Sequence, residues 1–289
     1  MIVTRFAPSP TGFLHIGHVA SALTGWRAAQ ESGGRFILRM EDIDATRCRP
    51  EFERAIYEDL AWLGLTWDQP VRRQSEHMAD YAGALQRLDR LGVLYPCFCS
   101  RQEIGAEIAA AASAPHGPDG PLYPGTCRTL SAEARAARVA RGLPYALRLD
   151  AAAAARTMGP LKWEEEDRGT IAVEPAKLGD AVLARKEVAA SYHLAVTVDD
   201  ALQGVTLVTR GADLFHATHL HRLLQALLGL ATPRYRHHML LTSADGRRLA
   251  KRDGALTIRA LRAAGRTPPE VRAMAGFPDE PGASRPESL

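Results

Sequence analysis

Apolar positions along the first hundred residues fall into two alternating rhythms. Ile2 to Ala7 is a short β-rich run that stops at a cluster of turn formers, Pro8-Ser9-Pro10-Thr11-Gly12. A helical pattern follows from about Gly17 to Glu31 and closes at Gly33-Gly34. Arg35 to Met40 reads as a second strand. Pro50 opens a helix in which Phe52, Ile56, Leu60 and Leu63 recur at helical spacing, and Glu76 to Leu91 gives another. Alternation of this kind predicts an α/β fold with a parallel sheet. The rhythm breaks between about 95 and 185, where Pro, Gly and three Cys gather and short β-like segments such as Tyr145 to Leu149 appear. It resumes near Tyr192, with Val205 to Val208 as a strand and Ala217 to Leu230 as a helix. The pattern therefore predicts an α/β domain interrupted by an inserted module. Two alanine runs, 109–112 and 151–155, read as compositional, and the Pro- and Gly-rich tail after Arg266 as a frayed end.

Composition changes this picture little. The chain has 289 residues, 46% hydrophobic and 24% charged, which excludes a disordered or fibrous protein. No apolar run reaches the roughly 18 residues needed to span a bilayer. Arg5 interrupts the apolar start, so no signal peptide is expected and a cytoplasmic protein is. A net charge of +3 says little about partners. The basic run Arg234, Arg236, His237, His238, Arg247, Arg248, Lys251 and Arg252 reads by default as a solvated face, with nucleic-acid contact as the alternative.

Three constellations carry candidate chemistry. The first joins Arg5 to Gly12 with His15-Ile16-Gly17-His18, at the turn from a first strand into a first helix. Ligands in open α/β sheets bind outside the carboxyl ends of strands. Gly12 and Gly17 would allow close backbone approach to a phosphate, the helix N-terminus adds partial positive charge, and two imidazoles at i and i+3 share one helical face. The second is Gly246 to Ala255, a Gly-bounded basic loop able to close over a triphosphate. The third is Cys97-Phe98-Cys99 with Tyr123 and Cys127. Thiolates suit zinc, and Tyr123 could fill the fourth tetrahedral position left by three Cys; ordinary buried thiols are the alternative. Cys48 stands apart as an incidental thiol.

Together these residues resemble the two signatures of class I aminoacyl-tRNA synthetases. Arg39 to Asp44, Tyr192 to Asp200, Val208 to Leu214 and Lys251 to Ala255 are similar to the glutamyl/glutaminyl branch. The likeness runs from Thr4 to about Leu256. It implies a Rossmann-type class I catalytic domain with an inserted zinc-containing module, divided as 1–94, 95–185, 186–265 and a 266–289 tail. Ala250 departs from the second signature, where Ser is usual, which removes a hydroxyl near the phosphates and leaves Lys251 in place. Only 38 residues (252–289) follow Lys251, too few to fold an anticodon-binding region. The chain is thus similar to the short paralogue of that branch, which attaches glutamate to the queuosine base in the anticodon of tRNA(Asp).

The resemblance implies ATP-dependent, tRNA-independent activation of L-glutamate, with Mg²⁺ arriving on ATP. His15, His18 and Lys251 would be catalytic, and with Gly17 would bind ATP. Arg5, Phe6, Ala7, Pro8, Ser9, Glu41, Tyr192 and Arg210 would contact glutamate, Glu41 holding the ammonium and Arg5 and Arg210 the carboxylate chemistry. Without the resemblance, Arg39 and Glu41 would read as a surface ion pair and Arg210 as a structural partner of Asp213. Cys97, Cys99, Tyr123 and Cys127 match the paralogue's ligand pattern for one structural zinc. Expected partners are queuosine-bearing tRNA(Asp), glutamate and ATP, with no membrane and no demand for a dimer. Two other readings stand beside this one: a minimal glutamyl- or glutaminyl-tRNA synthetase that charges a 3′ end, and a non-catalytic synthetase-like tRNA-binding module. A small-molecule nucleotidyltransferase fits the first motif but not the Cys/Tyr cluster or the Arg39 to Asp44 block.

Overall fold

The computed structural model describes residues 1–110, 116–117, 120–174, 177, 179–185, 189–241 and 257–278. In chain order these form β1 (Val3–Phe6), α1 (Ile16–Glu31), β2 (Arg35–Met40), α2 (Pro50–Trp62), β3 (Asp68–Arg73), α3 (Met78–Arg90), β4 (Leu94–Cys97) and α4 (Arg101–Ala110). Next come β5 (His116–Gly117), β6 (Gly120–Pro121), α5 (Ala132–Ala140), β7 (Ala146–Leu149), α6 (Ala151–Met158), β8 (Lys162–Glu165), β9 (Gly169–Ala172) and β10 (Val182–Arg185). The chain continues through α7 (Tyr192–Leu202), β11 (Leu207–Gly211), α8 (Ala217–Leu227), β12 (Arg234–His238), α9 (Ile258–Ala263) and α10 (Pro268–Met274). Among the described residues no helix is long and apolar enough to cross a membrane.

The chain groups into two units. The first comprises Met1–Ser75, Thr206–Asp213 and Arg236–Leu289. Its centre is the parallel set β1-β2-β3, in register through Val3↔Arg35 and Phe6↔Leu38 and through Arg39↔Arg72. Every residue of β1 is buried, as expected of a parallel strand covered on both faces. β11 runs beside β1, tied by the Thr206 amide to the Val3 carbonyl at 3.0 Å. Phe6, Leu14, Val19, Leu23, Leu38, Ile56 and Leu60 form the core between sheet and helices.

The turn from α1 into β2 is tight for a stated reason. Gly34 donates to the Ala29 carbonyl, and Arg35 donates to the Ile2 carbonyl at 2.8 Å. A Cβ on Gly34 would fall 2.2 Å from that Ile2 oxygen, a backbone atom that cannot swing aside. Gly34→Ala is expected to destabilise the fold by about 1–3 kcal/mol, read as a lower urea midpoint with the slope unchanged. An unmoved midpoint would mean that β1 and β2 have slack at this point.

The tail departs from expectation. Residues after Arg266 read as frayed, yet Pro268–Met274 is a helix, and Val271 and Ala275 are buried in the main core. Thr267 and Glu270 cap it reciprocally, with Pro at the first helical positions. Arg272 donates to the Leu63 carbonyl at 2.9 Å, and the Arg27 guanidinium lies 5.3 Å from the Phe277 ring centroid. The Thr-Pro-Pro-Glu string was the available signal; Pro and Gly content obscured it.

The second unit comprises Glu76–Val205 and Leu214–Tyr235. Its sheet β10-β7-β4 is antiparallel, pairing Leu94↔Leu149 and Cys97↔Ala146, and β8-β9 form a hairpin through Lys162↔Ala172 and Glu165↔Gly169. The alanine run 151–155 lies in α6, where Ala151 and Ala154 are buried and the helix packs on α8. The buried Tyr81 hydroxyl donates to the Asp199 carboxylate, its oxygens 3.0 and 2.9 Å away, where α3 packs on α7.

Candidate active site

In the first unit the carboxyl ends of β1, β2 and β11 carry most of the predicted residues. The loop after β1 is pinned to the end of β2, because the Glu41 amide donates to the Pro8 carbonyl at 3.0 Å. Arg5 points the other way along the sheet, donating from Nη1 to the Thr209 carbonyl of β11 at 2.9 Å. Backbone pairing thus holds Arg5, Pro8, Glu41 and Arg210 on neighbouring segments. Phe6 differs, since its side chain is part of the hydrophobic core.

His15 and His18 are built into the helix start itself. His15 is the N-cap of α1, in extended conformation, and its Nδ1 accepts from the Gly17 amide at 3.1 Å. His18 Nδ1 accepts from the His15 amide, also at 3.1 Å. Their ring centroids are 3.8 Å apart. Each neutral ring that accepts at Nδ1 carries its proton on Nε2, so both imidazoles become Nε2–H donors. Gly17 also serves the helix start itself. A Cβ there would meet the His15 ring at 3.1 Å, so its bareness makes room for that ring.

Arg39 and Glu41 are paired, Nη2 to Oε1 at 3.3 Å, but not on the surface as the residues alone would suggest. Their side chains are 0% and 7% exposed. A buried pair of this kind is costly to desolvate and holds its geometry only with further polar contacts. Arg210 is equally buried at 5%, and its Nε donates to Nε2 of His237 at 3.0 Å. His237 lies on β12, within the basic run expected to be a solvated face. Tyr235 and His237 of that run are instead buried, and His238 Nε2 sits 3.0 Å from Ser21 Oγ of α1. Alternation of Tyr and His between basic residues was the missed strand signal.

Tyr192 belongs to the second unit, where it opens α7 after the N-cap Ser191 and packs against the His193 and His221 rings. Ala250, Lys251 and the loop from Gly246 to Ala255 lie outside the described residues.

The cysteine constellation does come together. The Sγ atoms of Cys97, Cys99 and Cys127 lie within 4.8 Å of one another, with Cys99 and Cys127 at 3.4 Å, and none is in a disulfide. Sulfurs bound tetrahedrally at about 2.3 Å from zinc stand roughly 3.8 Å apart, so the set has the dimensions of a thiolate site. Tyr123 Oη is 3.6 Å from Cys99 Sγ and accepts the Cys127 amide at 2.8 Å. The Phe98 amide donates to Cys127 Sγ at 3.3 Å. Burial pushes the Cys99 thiol up to about 12 and the Tyr123 phenol upward as well. The Cys127 thiol is shifted the other way, downward, burial being outweighed by the hydrogen bonds it accepts. A coordinated dication would displace the protons of the remaining donors, so the spacing of the sulfurs fits a metal. Cys48 sits in the other unit.

Three parallel strands with a two-histidine helix start, flanked by buried cations at the strand ends, are features of a class I tRNA synthetase catalytic fold. Residues 1–275 match the family model for the catalytic domain of class I tRNA synthetases (E and Q). The chain belongs to this family. Among its relatives, a glutamyl-Q tRNA(Asp) synthetase from Rhodobacter capsulatus is 48% identical over 284 residues, covering 96% of this chain and 100% of that one. Another from Symbiobacterium thermophilum is 44% identical and covers 100% and 91%. Among solved structures, the glutamate tRNA ligase of Elizabethkingia meningosepticum in complex with its amino acid superimposes with a TM-score of 0.73 at 30% identity. That match takes in 88% of this chain but 52% of that structure, so the chain spans about half its length.

Proposed function

We propose that the protein activates L-glutamate with ATP, without tRNA, and transfers the glutamyl group to the queuosine base at the wobble position of tRNA(Asp). The observation that carries the reading is end-to-end likeness to relatives of that name, joined to a helix start that fixes two imidazole donors. The glutamate α-carboxylate attacks the α-phosphorus of ATP, and pyrophosphate leaves with the electrons of the broken P–O bond. His15 and His18 donate from Nε2 to phosphate oxygens as charge accumulates there. Lys251 neutralises the departing pyrophosphate, and Mg²⁺ enters on ATP. Glu41 holds the substrate ammonium; Arg5 and Arg210 take carboxylate; Tyr192, Ser9, Phe6, Ala7 and Pro8 are the further glutamate contacts that the family likeness supports. A queuosine hydroxyl then attacks the activated carbonyl, and AMP leaves.

Cys97, Cys99, Cys127 and Tyr123 would hold one structural zinc, within a module spanning 95–185 that contacts the RNA. With four protein ligands the ion has no open position and supplies architecture rather than chemistry. We further propose residues 1–94 and 186–265 as the two halves of the catalytic domain, with 266–289 as its tail, and a cytoplasmic monomer as the working form.

The reading is tested by radioactive glutamate with ATP on tRNA pools with and without queuosine, followed by nuclease mapping. Label confined to the anticodon fragment of the queuosine pool supports it. Label at the 3′ end of both pools would instead identify a short but ordinary glutamate-charging enzyme. Removing one imidazole donor, as in His18→Ala, is expected to lower the rate of glutamate-dependent ATP–pyrophosphate exchange about 10²–10³-fold. An unchanged rate would remove His18 from the mechanism.

A further inference from the structure

We infer that His237 is the positioning residue that sets how Arg210 meets a substrate carboxylate, and that its neutrality preserves selection for an acidic substrate. The inference rests on the proposed glutamate site. Its observation is the contact between Arg210 Nε and His237 Nε2, 3.0 Å apart, between two side chains 5% and 9% exposed.

Guanidinium is planar and rigid, so fixing Nε fixes the plane and the direction of the Nη edge. That edge is the one able to grip a carboxylate in two places. Nε2 of His237 accepts a hydrogen bond here, which places the ring proton on Nδ1 and leaves the imidazole uncharged. The acceptor therefore satisfies a buried N–H without adding negative charge beside it. A carboxylate in the same position would satisfy Nε equally well and would cancel the charge that an acidic substrate needs. The same choice recurs at Arg5, whose Nη1 donates to the uncharged carbonyl of Thr209. β12 supplies His237 from the strand beside β11, so the pairing is fixed by the sheet rather than by a loop.

The test compares His237→Gln, His237→Ala and His237→Glu with Arg210→Ala, in glutamate-dependent ATP–pyrophosphate exchange without tRNA. Thermal melting accompanies each variant, and His237→Gln, which retains a neutral acceptor, is the variant expected to fold as the parent does. His237→Ala is expected to raise the glutamate KM about tenfold or more, with a smaller change in kcat and none in the KM for ATP. His237→Gln should return the glutamate KM to within about threefold of the parent. His237→Glu should raise it further than alanine does and shrink the preference for glutamate over glutamine. Equal glutamate KM values for the Ala, Glu and parent proteins would overturn the inference, as would a glutamate variant that keeps full selectivity. Failure of the site reading looks different: Arg210→Ala would then leave the glutamate KM unmoved. If Arg210→Ala raises that KM and no His237 variant does, the inference about His237 falls alone.

Discussion

Glu41→Gln is expected to lower kcat/KM for glutamate activation roughly ten- to hundredfold and to destabilise the protein at the same time. The Glu41 carboxylate is 7% exposed and lies 3.3 Å from the Nη2 of a fully buried Arg39. Taking one charge out of such a pair costs about 3–5 kcal/mol, because the remaining charge stays in a poorly solvating interior. The same substitution removes the anion proposed for the substrate ammonium, a charge-assisted contact worth about 1.5–3 kcal/mol. At 1.4 kcal/mol per decade, the second loss alone lowers kcat/KM roughly ten- to hundredfold. Two measurements separate the parts. Urea unfolding reads the first, and exchange kinetics at glutamate concentrations below saturation read the second. A variant that melts like the parent and still activates glutamate at the parent's rate would deny Glu41 both roles.

The second large effect concerns the sulfur cluster. Purified protein is expected to carry about one zinc per chain, and Cys127→Ala to carry none. Structural zinc contributes about 10–16 kcal/mol of binding free energy in small domains. Its removal should therefore lower the melting temperature and expose the segment around Cys97 and Cys127 to protease. Tyr123→Phe is the finer probe. If the phenol oxygen is a ligand, this variant should bind zinc much more weakly. If it serves only to accept the Cys127 amide, zinc content should hold, with a stability loss of about 0.5–1.5 kcal/mol. Retention of full zinc by Cys127→Ala would exclude the cluster as the site.

β1, β2, α1 and α2 of the first unit were legible because both periodicities are uninterrupted there, whereas β3, whose Asp-Gln-Pro-Val-Arg-Arg sequence has no apolar alternation, was not. Arg35–Met40 matches the read strand at both ends, and α1 begins one residue before its expected start. The His-x-x-His turn was legible because it packs its chemistry into a few consecutive residues, and the cysteine set because it comes as two short segments, 97–99 and 123–127. What escaped was long-range. β12 looked like a charged surface, since Arg234 and Arg236 mask the buried Tyr235 and His237 between them. The Arg210–His237 contact joins positions 27 residues apart, and no local pattern announces it. The burial of Arg39 and Glu41 was likewise hidden: a pair two apart on a strand reads as solvent-facing until both faces of the sheet are covered. In the tail, a short capped helix was outweighed by its own prolines.

His15 and His18 carry two tasks on the same two rings, capping at Nδ1 and the proposed phosphate donation at Nε2. Helix starts are ordinarily closed best by Ser, Thr, Asp or Asn, and histidine is not in that group. Here two imidazoles take the job, His15 Nδ1 accepting from the Gly17 amide and His18 Nδ1 from the His15 amide. A serine at 15 would offer the helix a better cap and remove one of the two imidazoles proposed to donate to the phosphates. On the proposed roles, mutational routes toward a sturdier α1 run through loss of phosphate donors, and this helix start stays short of its attainable stability.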